Sequence, residues 1–224
     1  MHLPTNALPN DPLAQRVRDR RRVKRAVLAS LAAAARLCAV YLLQGRFDAM
    51  PWTVIPHALP GLVGILTAPL LHGSPEHLMA NVLALLALGT LAGTVYPRAT
   101  GRAIPLAWLG AGVGAWLLGE PGSHHLGASG VAQGLAYLVV TLALLRRDRA
   151  SVAAALIALT FSGGLLVAVL PHDPTVSWQS HLGGAVGGVL SAFLFRHADP
   201  PAPRHVYSWE TEVDGDPDDH PSSR

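Results

Sequence analysis

The stretch from Pro121 to Leu145, PGSHHLGASGVAQGLAYLVVTLALL, runs 25 residues without an Asp, Glu, Lys or Arg. A transmembrane helix needs ~20 predominantly apolar residues, about 17–25 in practice, so this stretch reads as a membrane span. The same reading extends outward from it. Charge-free runs cover His77 to Pro97 (21 residues), Ala103 to Gly119 (17), Ala150 to His172 (23) and Pro174 to Phe195 (22). A sixth span is expected near Ala26–Leu43, rich in Ala and Leu but interrupted by Arg36. An arginine at mid-span costs roughly 3 kcal/mol or more, so Arg36 should face the bundle interior or snorkel. The expected fold is all-α: a polytopic membrane protein of six transmembrane helices.

Composition agrees. Half of the chain is hydrophobic and 14% is charged, against about 25% charged in soluble domains. So apolar a chain is not disordered over most of its length. Cys38 is the only cysteine, which excludes an intrachain disulfide and a cysteine-based zinc site.

Basic residues set the orientation. Seven lie between Arg16 and Arg25, and a six-span plan puts fifteen of the 17 on one side. Only Arg46 falls opposite, with Arg36 inside the membrane. Basic loops stay cytoplasmic, so both termini are expected there. Residues 1–25 form a cytoplasmic basic arm, 26–196 the membrane domain, and 197–224 a disordered acidic tail. The arm's charge is explained by topology, and no nucleic acid is expected as partner. Residues 45–74 form a long outer connection, broken by Pro51, Pro56, Pro60, Gly61 and Gly64 yet apolar. Such a segment belongs in the interface rather than in water.

Three polar clusters interrupt the apolar helices. The first runs from His72 to Asn81, with His77 and Asn81 four apart on one helix face. The second is Gly127-Ala128-Ser129-Gly130, and the third is Ser180-His181-Leu182-Gly183-Gly184 with Gly187-Gly188. Each alone has a plain structural reading: a membrane serine bonds its own backbone, and glycines pack helices. Topology joins them, because the spans that carry them all run from outside to inside. His77, Asn81, Ser129 and His181 therefore lie within about two turns of the outer face. A serine becomes a nucleophile beside a base such as histidine. Asn and His side chains can join a backbone N–H in stabilising an oxyanion.

At these residues the chain resembles the rhomboid family of intramembrane serine proteases. The matching strings are H-x4-H-x3-N at His72, His77 and Asn81, G-x-S-G at Gly127 to Gly130, and H-x2-G-x3-G at His181, Gly184 and Gly188. The resemblance implies a rhomboid-like bundle in which Ser129 is the nucleophile and His181 its base. It implies an oxyanion hole from His77, Asn81 and the Ser129 N–H, with His72 and Gly127 supporting the site. Gly184 and Gly188 would let the last helix approach the Ser129 helix closely. Implied partners are transmembrane protein substrates and the lipid bilayer, with no cofactor and no metal. The expected location is a bacterial inner membrane.

Two departures stand out. Rhomboids often carry an aromatic residue four after the serine, stacked on the histidine; here it is Gln133, whose amide could hydrogen-bond the His181 ring instead. The family's Trp-Arg pair in the first outer loop is replaced by Val63-Gly64. Asp173 is a weak candidate for a third acid, and His124-His125 could bind a metal with His72 or His172, although solvated loop histidines are the plainer reading. Two other functions remain open. One is a catalytically weak or silent relative that binds membrane clients, for which loss of Ser or His would be the signature. The other is a polytopic transporter or metal-site protein, which would place ionisable groups along a path through the bilayer.

Overall fold

A computed structural model describes residues 12–171, 173 and 175–200. The first residues of the basic arm, His172, and most of the acidic tail lie outside the described residues. Among the described residues the chain is all-helical: α1 (Pro12–Gln44), a four-residue α2 (Gly64–Thr67), α3 (Pro75–Val95), α4 (Pro97–Leu118), α5 (Ser129–Arg146), α6 (Arg149–Val167) and α7 (Trp178–Phe195). Among the described residues α1, α3, α4 and α5 are long and apolar enough to cross a membrane. The charge-free runs from Ala150 and from Pro174 correspond in position to α6 and α7, of 19 and 18 residues.

The surface shows why this is a membrane protein. Leu83 on α3, Leu144 on α5, Leu156 on α6 and Leu194 on α7 are all exposed, whereas the core is built mainly from alanine with few larger side chains. Water would penalise this arrangement. A bilayer favours it, because small residues between helices let backbones pack closely while large apolar ones face lipid. α7 is the central helix, packed against both α4 and α5, while α1 packs on α3 and α6 on α5.

Helix boundaries depart most from the expected spans at the starts of α5 and α1. α5 begins at Ser129 rather than Pro121. Gly122 and Gly127 take φ of 80° and 111°, a left-handed conformation that a continuing helix excludes. His125 instead pairs antiparallel with Val54, with Val54 N donating to His125 O at 3.0 Å and His125 N to Val54 O at 2.9 Å. α1 begins at Pro12 rather than near Ala26, so the basic run from Arg16 to Arg25 is a helical extension of the first span.

The expected tail also begins differently. Asp199 is buried, and its carboxylate accepts from Arg98 N at 3.0 Å and Ala99 N at 2.9 Å. It thereby satisfies first-turn amides of α4 that have no intrahelical partner.

Arg36 is exposed on the side of α1 away from α3. The expectation that it faces the bundle interior is therefore corrected. The interior stripe of α1 is taken by Ala26, Ser30, Ala34 and Leu37.

Candidate active site

Ser129 is the first residue of α5. Its position follows from the loop before it, where Gly127 at φ 111° turns the chain and Ala128 leads into the helix. The Ser129 amide is one of the first-turn donors without an intrahelical acceptor, at the positive end of the helix dipole. His181 lies on the first turn of α7, whose start is fixed by Ser177 accepting from Ser180 N at 3.4 Å.

These two helices touch through glycine. A Cβ on Gly184 would collide with the Gly130 carbonyl, and one on Gly188 with the Gly134 carbonyl. On its other side α7 meets α4 in the same way, Gly183 against Gly110 and Gly114. With no side chains between the backbones, His181 Nε2 lies 2.8 Å from Ser129 Oγ.

The tautomer follows from the other ring nitrogen. His181 Nδ1 lies 3.0 Å from the carbonyl oxygen of Ala168, just beyond the end of α6. A carbonyl only accepts, so Nδ1 carries the proton and Nε2 presents its lone pair to the Ser129 hydroxyl. The same carbonyl, at the negative end of the α6 dipole, would stabilise a protonated imidazolium.

α3 supplies the third group. Ser74 caps it by accepting from His77 N at 3.1 Å, and Pro75 occupies its first turn, where a missing N–H costs nothing. Asn81 Nδ2 donates to His77 O at 2.9 Å, which leaves the second amide hydrogen of Asn81 for a ligand. A Cβ on Gly127 would lie 2.6 Å from the His77 ring and 3.6 Å from Asn81 Nδ2. Both side chains therefore sit against the loop just before Ser129, and only glycine fits there.

His72 stands behind His77, with ring centroids 5.1 Å apart and an edge-on contact. Burial, with the neighbouring His77 as a lesser cause, pushes its pKa down to about 4, so the ring is neutral near pH 7. Among the described residues neither ring nitrogen has a hydrogen-bond partner. The backbone is held instead: Gln44 Nε2 donates to His72 O at 2.9 Å and His72 N to Gln44 Oε1 at 3.0 Å.

Ser129, His181, His77 and Asn81 line a common cavity of about 1290 Å³, which reaches past Gln179 to Glu120 and Asp173 at its rim. The arrangement provides an oriented hydroxyl–imidazole pair, amide donors at a helix start, and space for a peptide segment.

Four expectations are corrected or narrowed here. Gln133 is fully buried, and both nitrogens of the His181 ring meet other atoms, so the Ala168 carbonyl takes the orienting place expected of the Gln133 amide. Asp173 is engaged with its own loop: its Oδ1 accepts from Thr175 N and Oγ1 at 2.8 and 2.6 Å. His125 is not a solvated loop residue. It is buried, burial first and His124 second lower its pKa, and its ring nitrogens lie 2.6 Å from Ser177 Oγ and 2.9 Å from Ser123 Oγ. His124 Nδ1 lies 2.7 Å from Thr53 Oγ1, so the two rings tie down loops and do not converge with His72.

The fourth concerns the outer connection, where Val63-Gly64 stand in place of Trp-Arg. Gly64 leaves no room for any side chain, because a Cβ would run into the Thr53 carbonyl. The loop is anchored by other means: Trp116 Nε1 donates to Ala58 O at 3.0 Å, Trp108 Nε1 to Leu66 O at 3.2 Å, and Thr67 Oγ1 to Trp52 O at 2.6 Å.

Sequence reading missed two contributors. The Ala168 carbonyl has no side-chain signal. Gln44 had one, a lone amide closing an apolar span.

A family model described as "Rhomboid domain" matches residues 60–198. Uncharacterized proteins of Mycobacterium bovis and Mycobacterium tuberculosis are 37% identical over 147 residues, covering 62% of this chain and 61% of each relative. One of Mycobacterium leprae is 37% identical over 142 residues, covering 59% of this chain and 56% of the relative. The chain thus spans less than two thirds of the length of these relatives. No solved structure matches it.

Proposed function

Because the chain belongs to the rhomboid family, we propose that it is an intramembrane serine endopeptidase that cleaves transmembrane protein substrates near the outer membrane face. The observation that carries this reading is the 2.8 Å contact between Ser129 Oγ and His181 Nε2, with the opposite ring nitrogen held by a carbonyl.

The reaction follows from the protonation states. His181 Nε2 takes the hydroxyl proton as Ser129 Oγ attacks the scissile carbonyl carbon. The oxygen that gains negative charge faces the Ser129 N–H, the Asn81 amide and His77. The imidazolium then returns its proton to the leaving amine, the C–N bond breaks, and an acyl-enzyme remains. Water, deprotonated through His181, hydrolyses the ester and restores Ser129.

In this reading all six long helices cross a bacterial inner membrane with both termini cytoplasmic. The cavity then opens outward, and substrates unwind there near small or helix-breaking residues.

Labelling of the full-length protein with a serine-directed fluorophosphonate tests the reading. Wild type should label covalently and Ser129→Ala should not. Equal labelling of both would end it, and an unlabelled wild type would favour a silent client-binding relative. In a Cys38→Ser background, Glu120→Cys should react with an impermeant thiol reagent added from outside, and Ala150→Cys should not.

A further inference from the structure

Arg36 is a charge that the catalytic reading leaves unused. Its depth can be read from α3. The two helices run antiparallel, with Ala26 Cβ 3.1 Å from where a Cβ on Gly93 would stand and Ser30 Oγ 2.7 Å from that of Gly89. Counting on at the same pace sets Arg36 opposite Leu83. The middle of α3, which runs from Pro75 to Val95, is Leu85. Arg36 therefore lies two residues, about 3 Å along the helix, from mid-span.

With a hydrocarbon core of ~30 Å, the nearer face is roughly 12 Å away. The Cα–Cβ bond leans toward the helix N-terminus, which is the farther face. The helix geometry thus biases the side chain toward the longer way out.

The side chain is also exposed, and no hydrogen bond or ion pair holds it among the described residues. A guanidinium at this depth normally pairs with another group. The surface around it is suited to a helix. Ala32, Ala35 and Ala39 are exposed on the same side of α1, and small residues at these spacings let a neighbouring backbone approach closely.

A second copy of this chain cannot supply the counter-charge. Among the described residues the only acids within long helices are Asp19, seventeen positions away in α1, and Glu76, in the first turn of α3. We propose that the Ala32, Ala35, Arg36 and Ala39 face of α1 docks a transmembrane helix of another protein that presents an Asp or Glu at mid-bilayer depth. The surface is separated from the cavity by α3 and does not depend on the protease reading.

The test uses the full chain, labelled with a donor fluorophore, in phosphatidylcholine vesicles at pH 7.4. The partners are synthetic Leu/Ala transmembrane peptides carrying an acceptor and a single central Asp, Asn or Leu. Wild type should bind the Asp peptide at least about tenfold more tightly than the Leu peptide. Arg36→Leu should lose that preference, and Arg36→Asp paired with a central-Lys peptide should recover it. Unchanged melting of Arg36→Leu in detergent shows that the fold is intact.

Equal binding of the Asp peptide by wild type and Arg36→Leu would overturn the proposal. So would association that follows added anionic lipid rather than the peptide carboxylate, which would assign Arg36 to headgroups. Energy transfer between two labelled copies that vanishes in Arg36→Leu would assign the face to a second copy and also overturn it.

Discussion

The two ends of the bundle both carry polar side chains and use them in opposite ways. At the end opposite the cavity, charges are consumed. Asp199 accepts two α4 amides, Arg146 Nε pairs with Asp148 at 3.2 Å and its guanidinium lies over the Tyr96 ring, and Asp148 also caps Ser151 at 2.9 Å. At the cavity end the groups around Ser129 are only partly committed to one another. His181 and Ser129 meet each other, Asn81 uses one of two amide hydrogens, and the space beside them is open. Polar groups that satisfy one another hold helices in place. Polar groups left with spare capacity beside a cavity are available to a substrate. The four predictions below test whether this division is real.

The largest effect is expected at the oriented pair. Ser129→Ala or His181→Ala should lower cleavage of a transmembrane substrate by on the order of 10³-fold or more, with the melting temperature in detergent unchanged. The two groups act as a unit, so the double variant should be no slower than either single one. Additive losses would mean that the 2.8 Å contact is not the working geometry.

Asn81→Ala comes next. Removing one oxyanion donor typically costs about 10²–10³ in kcat, and Asn81 shares the task with His77 and the Ser129 amide, so a loss of roughly 10–1000-fold is expected. Fluorophosphonate labelling should survive in part. Turnover equal to wild type would move Asn81 to the structural side of the comparison, where its bond to the His77 carbonyl would be its whole role.

The sequence made one half of this contrast legible and hid the other. The spans could be read because a charge inside a bilayer is costly, so absence of charge marks dry surroundings. Dryness is not helicity, however, and Pro121 to Ala128 shows the difference: the segment is charge-free, yet it is a loop held by the Val54–His125 pairing and two left-handed glycines. Ser129 and His181 could be matched across 52 residues because motif order and span direction put both at one end. What turns the His181 ring could not be read, since the Ala168 carbonyl is backbone and Gln133 offered a chemically reasonable substitute. Nor could the ion-paired end, whose Asp199 looked like the head of a polar tail.

Acid should separate the ends as well. The His72 ring titrates near its ordinary value in the unfolded chain but only at about 4 in the fold. The unfolded state therefore binds the proton first as pH falls. Stability from this group is full above about 6.5, is lost progressively below it, and stops falling below about 4, at no more than ~1.4 kcal/mol per pH unit. His72→Leu should melt at nearly the wild-type temperature at pH 7.5 and be less acid-sensitive between pH 6 and 4. A wild-type melting temperature that is flat over that window would show that the ring is already charged or well solvated.

The smallest effect is expected at the opposite end, and it sharpens the comparison most. Asp199→Ala leaves the Arg98 and Ala99 amides without their carboxylate, and losing such a cap typically costs about 0.5–2 kcal/mol. For a chain of this size, that corresponds to a fall in melting temperature of a few degrees, at roughly 2–4 °C per kcal/mol. Asp199→Asn keeps one side-chain acceptor and should fall by less. At 25 °C both variants remain folded, so turnover should stay within about twofold of wild type, because nothing at this end touches the cavity. A tenfold drop in kcat for folded Asp199→Ala would couple the two ends through α4 and α7. The packed end would then set the position of His181 as well as holding the bundle together.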